Sequence, residues 1–242
     1  MDPSLWAEIS AVEDRHWWFT GRREIITHLV STLLPDGASI LDIGCGTGFM
    51  LEALTGRYDA WGLEPDALIR HKSRQAVHGR ILPGDTTDHS RLLGRRFDLV
   101  LLLDVLEHVE HDVKALRAAA ATVAQNGRLL VTVPANPRLW SAHDERNAHY
   151  RRYTAETLAA VLDAAGLVTS RLTHFNSRLY PIVRAHRILS ARHTERELQI
   201  PPAPINSLLR WIFAGERYRL EHGYGYGSGL SLAAVASIRP TG

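Results

Sequence analysis

Asp42, Gly44, Gly46 and Gly48 stand at alternate positions in Ile40-Leu-Asp-Ile-Gly-Cys-Gly-Thr-Gly-Phe-Met-Leu51, and single acids follow at Glu64, Asp85 and Asp104. Glycines at this density let the chain turn sharply and let a ligand lie against the backbone with no Cβ between them. The apolar residues before the turn read as a buried strand, and Met50, Leu51 and Leu54 after it as a helix. Together they make the nucleotide-binding corner of an α/β sheet. The spacing G-x-G-x-G departs from the G-x-G-x-x-G that presents a helix N-terminus to a pyrophosphate. No lysine follows the last glycine, so a Walker-type phosphate loop is excluded. A carboxylate at Asp42 would repel a phosphate, and it suits a ligand carrying an ammonium and a sulfonium. Glu64 ends the next apolar segment, about 20 residues past the glycines, and is placed to accept both ribose hydroxyls. Asp85 could accept an adenine amino group, and Asp104 closes the apolar run from Phe97 to Leu103.

A second group of reactive residues falls between Pro134 and Tyr153, where hydrophobic periodicity stops. A long unpatterned stretch inside a compact domain is usually functional or disordered, and its aromatic load argues against disorder. His143 and His149 are the candidate bases, since imidazole titrates near neutrality, with His108 third. Asp144 could orient either histidine, or pair with Arg151 or Arg152 and do nothing chemical. Trp17, His108, Trp140, Tyr150 and Arg152 are the expected walls of a substrate pocket. His16-Trp-Trp-Phe19 either seals N-terminal helices onto the sheet or forms part of a lid. Thr20 reads as the cap of a helix whose first turn carries Arg22 and Arg23. A positive charge there opposes the helix dipole, which points to an anionic contact for Arg22 or an ordinary surface ion pair.

These residues need a scaffold. Strands are predicted at 39–44, 59–64, 80–82, 97–103, 128–133, 167–174 and 230–238. Helices are predicted at 49–56, 66–76, 112–125 and 154–165, with two more ahead of the first strand. Such alternation requires a parallel sheet with right-handed crossovers. Residues 175–222 exceed a minimal fold and hold two basic amphipathic helices, near 180–193 and 205–221. These could lie on a membrane surface, bind an acidic partner or pack on their own domain. The chain of 242 residues reads as one domain, with a helical cap at 1–36, a core at 37–174, a helical insertion or lid at 175–226 and a last strand within 227–242. The net charge of +2 permits nucleic acid without arguing for it, and the single Cys45 excludes an internal disulfide and a cysteine zinc site. No signal peptide or membrane-spanning run is visible, so a cytoplasmic location is expected.

The chain resembles the bacterial class I S-adenosylmethionine (SAM) dependent methyltransferases of types 11, 12 and 23, and more distantly the ubiquinone-biosynthesis O-methyltransferases. The matching pieces are His16 to Arg23, Leu41 to Gly48, Asp104-Val-Leu-Glu-His108, His143-Asp144 with His149-Tyr-Arg-Arg-Tyr153, and Gly229-Leu230-Ser231. The resemblance implies a Rossmann-like seven-stranded, mostly parallel α/β sheet with an antiparallel last strand and helices on both faces. It also implies SAM as cofactor and S-adenosylhomocysteine as product. Cofactor contacts are expected at Asp42, Gly44, Cys45, Gly46, Gly48, Glu64, Pro65, Asp85, Thr86, Leu103 and Asp104, with Trp18 and Arg22 at the SAM carboxylate end. The expected activity is methyl transfer to a small biosynthetic molecule, at oxygen, with no nucleic-acid partner. A SAM-binding cyclase, a non-methylating protein and an RNA methyltransferase are the alternatives. No metal is expected, although Asp104, Glu107 and His108 offer three donors within one turn and some ubiquinone-type enzymes use a divalent ion near this point.

Overall fold

A computed structural model describes residues 3–189, 198–222 and 225–239. Strands β1 (Ser39–Ile43), β2 (Asp59–Glu64), β3 (Ile81–Pro83), β4 (Phe97–Leu103), β5 (Val123–Pro134), β6 (Leu167–Phe175) and β7 (Ser231–Ile238) form one sheet, ordered β3-β2-β1-β4-β5-β7-β6. All neighbours are parallel except the two pairs made by β7, so the last strand alone is antiparallel. β4 is a continuous apolar run because both of its faces are covered. Val100 and Leu102 join a core with α5 (Asp112–Ala120) and α7 (Ala155–Ala164). Leu99 and Leu101 join the opposite core, with α2 (Trp17–Leu33), α3 (Phe49–Leu54), α9 (Ala203–Ala214) and α10 (Arg217–Glu221). The remaining helices are α1 (Pro3–Val12), α4 (Ala67–His71), α6 (Ala142–Arg146) and α8 (Tyr180–Leu189). No helix among the described residues is long and apolar enough to cross a membrane.

Several predicted boundaries move, each for a local reason. α2 starts at Trp17, and its cap is His16, whose Nδ1 accepts the Trp18 N–H at 3.2 Å. Thr20 therefore lies inside the helix, and Arg22 and Arg23 sit beyond its first turn. The helix predicted at 112–125 stops at Ala120, and Gln125-Asn-Gly127 belongs to β5 instead of ending a helix. Asn126 takes a left-handed φ of 66°, and a Cβ on Gly127 would lie 2.9 Å from the Phe97 carbonyl oxygen. Asn-Gly thus marks an irregularity of the strand, where the pairing register with β4 shifts. The helix predicted at 66–76 divides into α4 and a 3-10 segment at Gln75–Arg80. The pair predicted at 180–193 and 205–221 is seen as α8, then α9 and α10, and residues 190–193 lie outside the described residues. α9 and α10 part at Glu216, whose buried carboxylate accepts the N–H groups of Ser177 and Arg178 at 2.8 Å each.

Candidate functional site

The sheet order reverses between β1 and β4, and ligands of open α/β sheets bind beyond the carboxyl ends of the strands at that point. A cavity of about 710 Å³ opens there. Asp42 comes from β1, the turn Gly44 to Gly46 follows it, and Leu103 and Asp104 end β4; all line the cavity, as do Trp18 and Arg22 of α2. Gly44 and Gly46 adopt φ of 75° and 57°, and added Cβ atoms would meet Val105 and the Trp6 ring at 2.8 Å each. Asp104 also holds a left-handed φ, 58°, a conformation costing about 1–3 kcal/mol for a non-glycine residue. Its surroundings fix it: Asp104 N–H donates to the Thr132 carbonyl at 2.9 Å, Thr132 Oγ1 donates to Oδ1 at 3.0 Å, and Arg22 pairs with Oδ2 at 2.8 Å.

This end of the cavity suits an amino-acid group. Asp42 is buried, and burial lifts its carboxyl to about 7 against the opposing charge of Arg22. Arg22 keeps a buried Nε without a hydrogen-bond partner, one donor left over beside two carboxylates. An ammonium for Asp42 and Asp104 and a carboxylate for Arg22 would complete the set, which fits the methionine end of SAM.

The residues expected at the nucleoside end do not line the cavity. Both Glu64 oxygens are engaged, by the Gly46 and Asp66 N–H groups at 3.0 Å each. Asp85 Oδ1 is folded into its own turn, accepting from the Thr87 N–H at 2.6 Å, the Thr87 hydroxyl at 3.0 Å and the Asp88 N–H at 2.8 Å. Pro65 and Thr86, their neighbours, are likewise not among the lining residues. Gly48 caps α3 at φ 82° with Val77 2.7 Å from where a Cβ would stand, so packing accounts for it. The Cys45 Sγ presses on Gly62, and burial pushes its thiol well up, away from nucleophilic use.

His108, His143, His149, Arg152 and Trp17 line the same cavity. Asp144 is fully buried behind them. Its Oδ1 accepts from His149 Nδ1 at 3.0 Å and from Arg152 Nε at 2.7 Å, and its Oδ2 accepts the Ser141 N–H at 2.9 Å. Burial alone would raise the Asp144 carboxyl, but these bonds hold it well below the usual carboxylate range. Arg151 pairs instead with Asp112 at 2.8 Å. With Nδ1 committed to the carboxylate, His149 is left with Nε2 for other partners. The His108 ring lies 4.6 Å from His149 and His143 6.2 Å, centroid to centroid. Burial lowers His108 to about 4, which keeps it neutral.

Two expected pocket residues stand elsewhere. Trp140 is exposed after the 3-10 turn Pro137–Leu139, its indole N–H 3.5 Å from Glu145, and Tyr150 is 56% exposed with Arg151 over its ring. The Tyr150 N–H bonds the Glu107 carbonyl at 2.7 Å, which fixes the backbone and leaves the ring outside. The sequence reading missed Glu107 as a lining residue. It is 1% exposed, its Oε2 has no partner, and burial raises its carboxyl. Glu107, His108 and His149 place donor atoms within 4.8 Å of one another and could hold a cation, with His149 replacing Asp104 in the predicted donor set. The sequence also gave no sign that α1 reaches the glycine turn. Glu13 accepts from the Thr47 hydroxyl at 2.9 Å, Arg74 pairs with Glu13 at 3.0 Å, and Arg146 ties Glu8 to α6 at 2.7 Å.

Comparison with known proteins bears on this arrangement. A family model described as a methyltransferase domain, of type 23, matches residues 18–171. A ubiquinone biosynthesis O-methyltransferase of Aeromonas salmonicida is 28% identical over 151 residues, which cover 55% of this chain and 63% of that protein. The chain thus spans less than two thirds of that relative's length. Among solved structures, the methyltransferase complexed with the Trm112 activator of Haloferax volcanii superposes with a TM-score of 0.60 at 16% identity, covering 99% of this chain and 96% of that one. The [4+2]-cyclase SpnF superposes with a TM-score of 0.58 at 18% identity, covering 90% and 82%. At such identities these two establish a common fold.

Proposed function

This chain belongs to the methyltransferase-domain family of class I SAM-dependent methyltransferases, and from that premise we propose that it moves a methyl group from SAM to an oxygen of a small biosynthetic molecule. The observation that carries the reading is one cavity lined both by Asp42, Asp104 and Arg22 and by His149, which Asp144 backs. Bound SAM supplies an electrophilic methyl on a sulfonium whose leaving group departs neutral. Asp42 and Asp104 would hold the ammonium and Arg22 the carboxylate, and the glycine turn would leave room for the rest of the cofactor. Glu64 and Asp85 would take part at the nucleoside end through the lone pairs that their local hydrogen bonds leave unused.

Little covalent assistance is needed from the protein. Alignment of two bound reactants is worth roughly 7–11 kcal/mol. Trp17 and Trp18 line the same cavity and cover part of it with apolar surface. A hydroxyl acceptor must lose its proton, and His149 Nε2 receives it while Asp144 stabilises the imidazolium, with Arg152 holding Asp144 in place. His143 and His108 flank that ring. The acceptor oxygen is supported by the similarity to an O-methyltransferase. Incubation with methyl-labelled SAM and small-molecule extracts tests the reading. Label in a small product extractable as an ether or ester is the expected result. Label in RNA, or tight SAM binding with no transfer under any extract, would give the site to an RNA methyltransferase or to a non-methylating role.

A further inference from the structure

The side of α9 turned away from the sheet is apolar. Ile205, Leu208 and Trp211 recur at three-residue intervals and are 52%, 54% and 74% exposed, whereas Phe213 and Ala214 of the same helix are buried. The orientation is fixed: Asn206 accepts the Trp17 N–H at 2.9 Å and donates to the Arg15 carbonyl at 2.8 Å, and Phe213 packs its ring against Trp17. A surface helix ordinarily turns charge to solvent; this one turns a hydrophobic stripe. Along one edge Leu209 lines the main cavity together with exposed Ile182 of α8. The other edge ends in a notch of about 310 Å³ beside Trp211 and Tyr218. There Arg210 and Arg217 share one carboxylate, Glu24, at 2.6 and 3.1 Å.

Two guanidiniums on one acid leave the notch positive, and exposed Arg178, whose guanidinium lies against Gly215 of the notch, adds the same sign. Of the acids described between 178 and 222, Glu216 is buried and Glu221 is bonded to His28 at 3.0 Å. A twofold contact with a second copy would bring these arginines against their own images. An anionic surface would complement them. Tryptophan and tyrosine beside arginine, at the margin of an apolar stripe, match the polarity gradient at the edge of a bilayer. We propose that α9 and the adjoining edge of α8 dock onto an anionic lipid bilayer, with Ile205, Leu208 and Trp211 entering the headgroup–acyl boundary and Arg210 and Arg217 facing lipid phosphates. This carries the rim of the main cavity to the membrane surface and does not depend on the reaction assigned to the site.

Sedimentation of the full chain with vesicles of phosphatidylcholine alone, or of equal parts phosphatidylcholine and phosphatidylglycerol, tests it. The parent chain should bind the mixed vesicles and release as salt rises. Leu208→Ser with Trp211→Ser should lower partition by roughly tenfold or more at unchanged melting temperature, since both side chains are already in water. Arg210→Gln with Arg217→Gln should lose the preference for phosphatidylglycerol by roughly tenfold. Failure of the parent to bind the mixed vesicles overturns the proposal, as does undiminished binding by the Leu208, Trp211 variant. A concentration-dependent dimer that the same variant dissolves would give the stripe to a second copy.

Discussion

Burial lifts the Asp42 carboxyl to about 7, with Arg22 opposing and Glu64 reinforcing the shift, while the ammonium it is proposed to accept requires the ionised form. The folded chain therefore keeps a proton that the unfolded chain gives up near the model-peptide value of 3.8. The resulting cost to stability is absent below that value, grows as pH rises toward 7 and levels above it at roughly 4 kcal/mol. Asp42→Asn should accordingly raise the melting temperature at pH 8 and leave it unchanged at pH 3, while SAM affinity falls steeply. In the parent, SAM binding should weaken by roughly tenfold per pH unit below 7, because the ligand must first expel that proton; calorimetry at pH 6 and 8 measures it. His149 and Asp144 separate in a different way. For a hydroxyl acceptor, His149→Gln should lower kcat by about 10²–10⁴ with SAM affinity intact. Asp144→Asn leaves Arg152 buried without its carboxylate, and should cost about 3–5 kcal/mol in urea unfolding as well as activity.

At the scale of elements, close packing constrains residues that also line the cavity. Cys45 sits in the glycine turn because its Sγ fills the space above Gly62, where an added Cβ would come within 2.5 Å of it. Gly62→Ala should therefore cost about 1–3 kcal/mol in denaturant unfolding, and Cys45→Ala in the same chain should recover part of that loss, giving a non-additive cycle. Simple additivity of the two changes would show that the turn and β2 do not press on each other. Periodicity located every strand and nearly every helix, because a strand covered on both faces and a helix covered on one leave different apolar patterns. Boundaries were less legible where one signal has two uses. Asn-Gly ends helices and also kinks strands, and here it does the second. Thr20 has the chemistry of a cap, but His16 accepts the N–H first and starts α2 earlier.

For the whole molecule, the fold brings together residues from Leu5 to Ser231 around one cavity, so ligand binding should be felt by the entire fold. SAM at a hundred times its dissociation constant should stabilise the chain by about 2.7 kcal/mol, seen as a rise in melting temperature that Asp42→Asn abolishes. Sequence by itself determined the α/β class, the glycine turn, the acids at the strand ends and the segment that carries the histidines, though not the short helix α6 on which His143 sits. Each of these is written in local spacing or in the period of apolar residues. Tertiary structure decided which residues share the cavity. It bound His149 rather than His143 to Asp144, sent Arg151 to Asp112, turned Trp140 and Tyr150 to solvent and laid Trp6 on Gly46. It also left the stripe on α9 uncovered while burying Phe213 and Ala214 of that helix. Those outcomes depend on long-range contacts and on which hydrogen-bond partner arrives first, and neither is encoded in the spacing of residues along the chain.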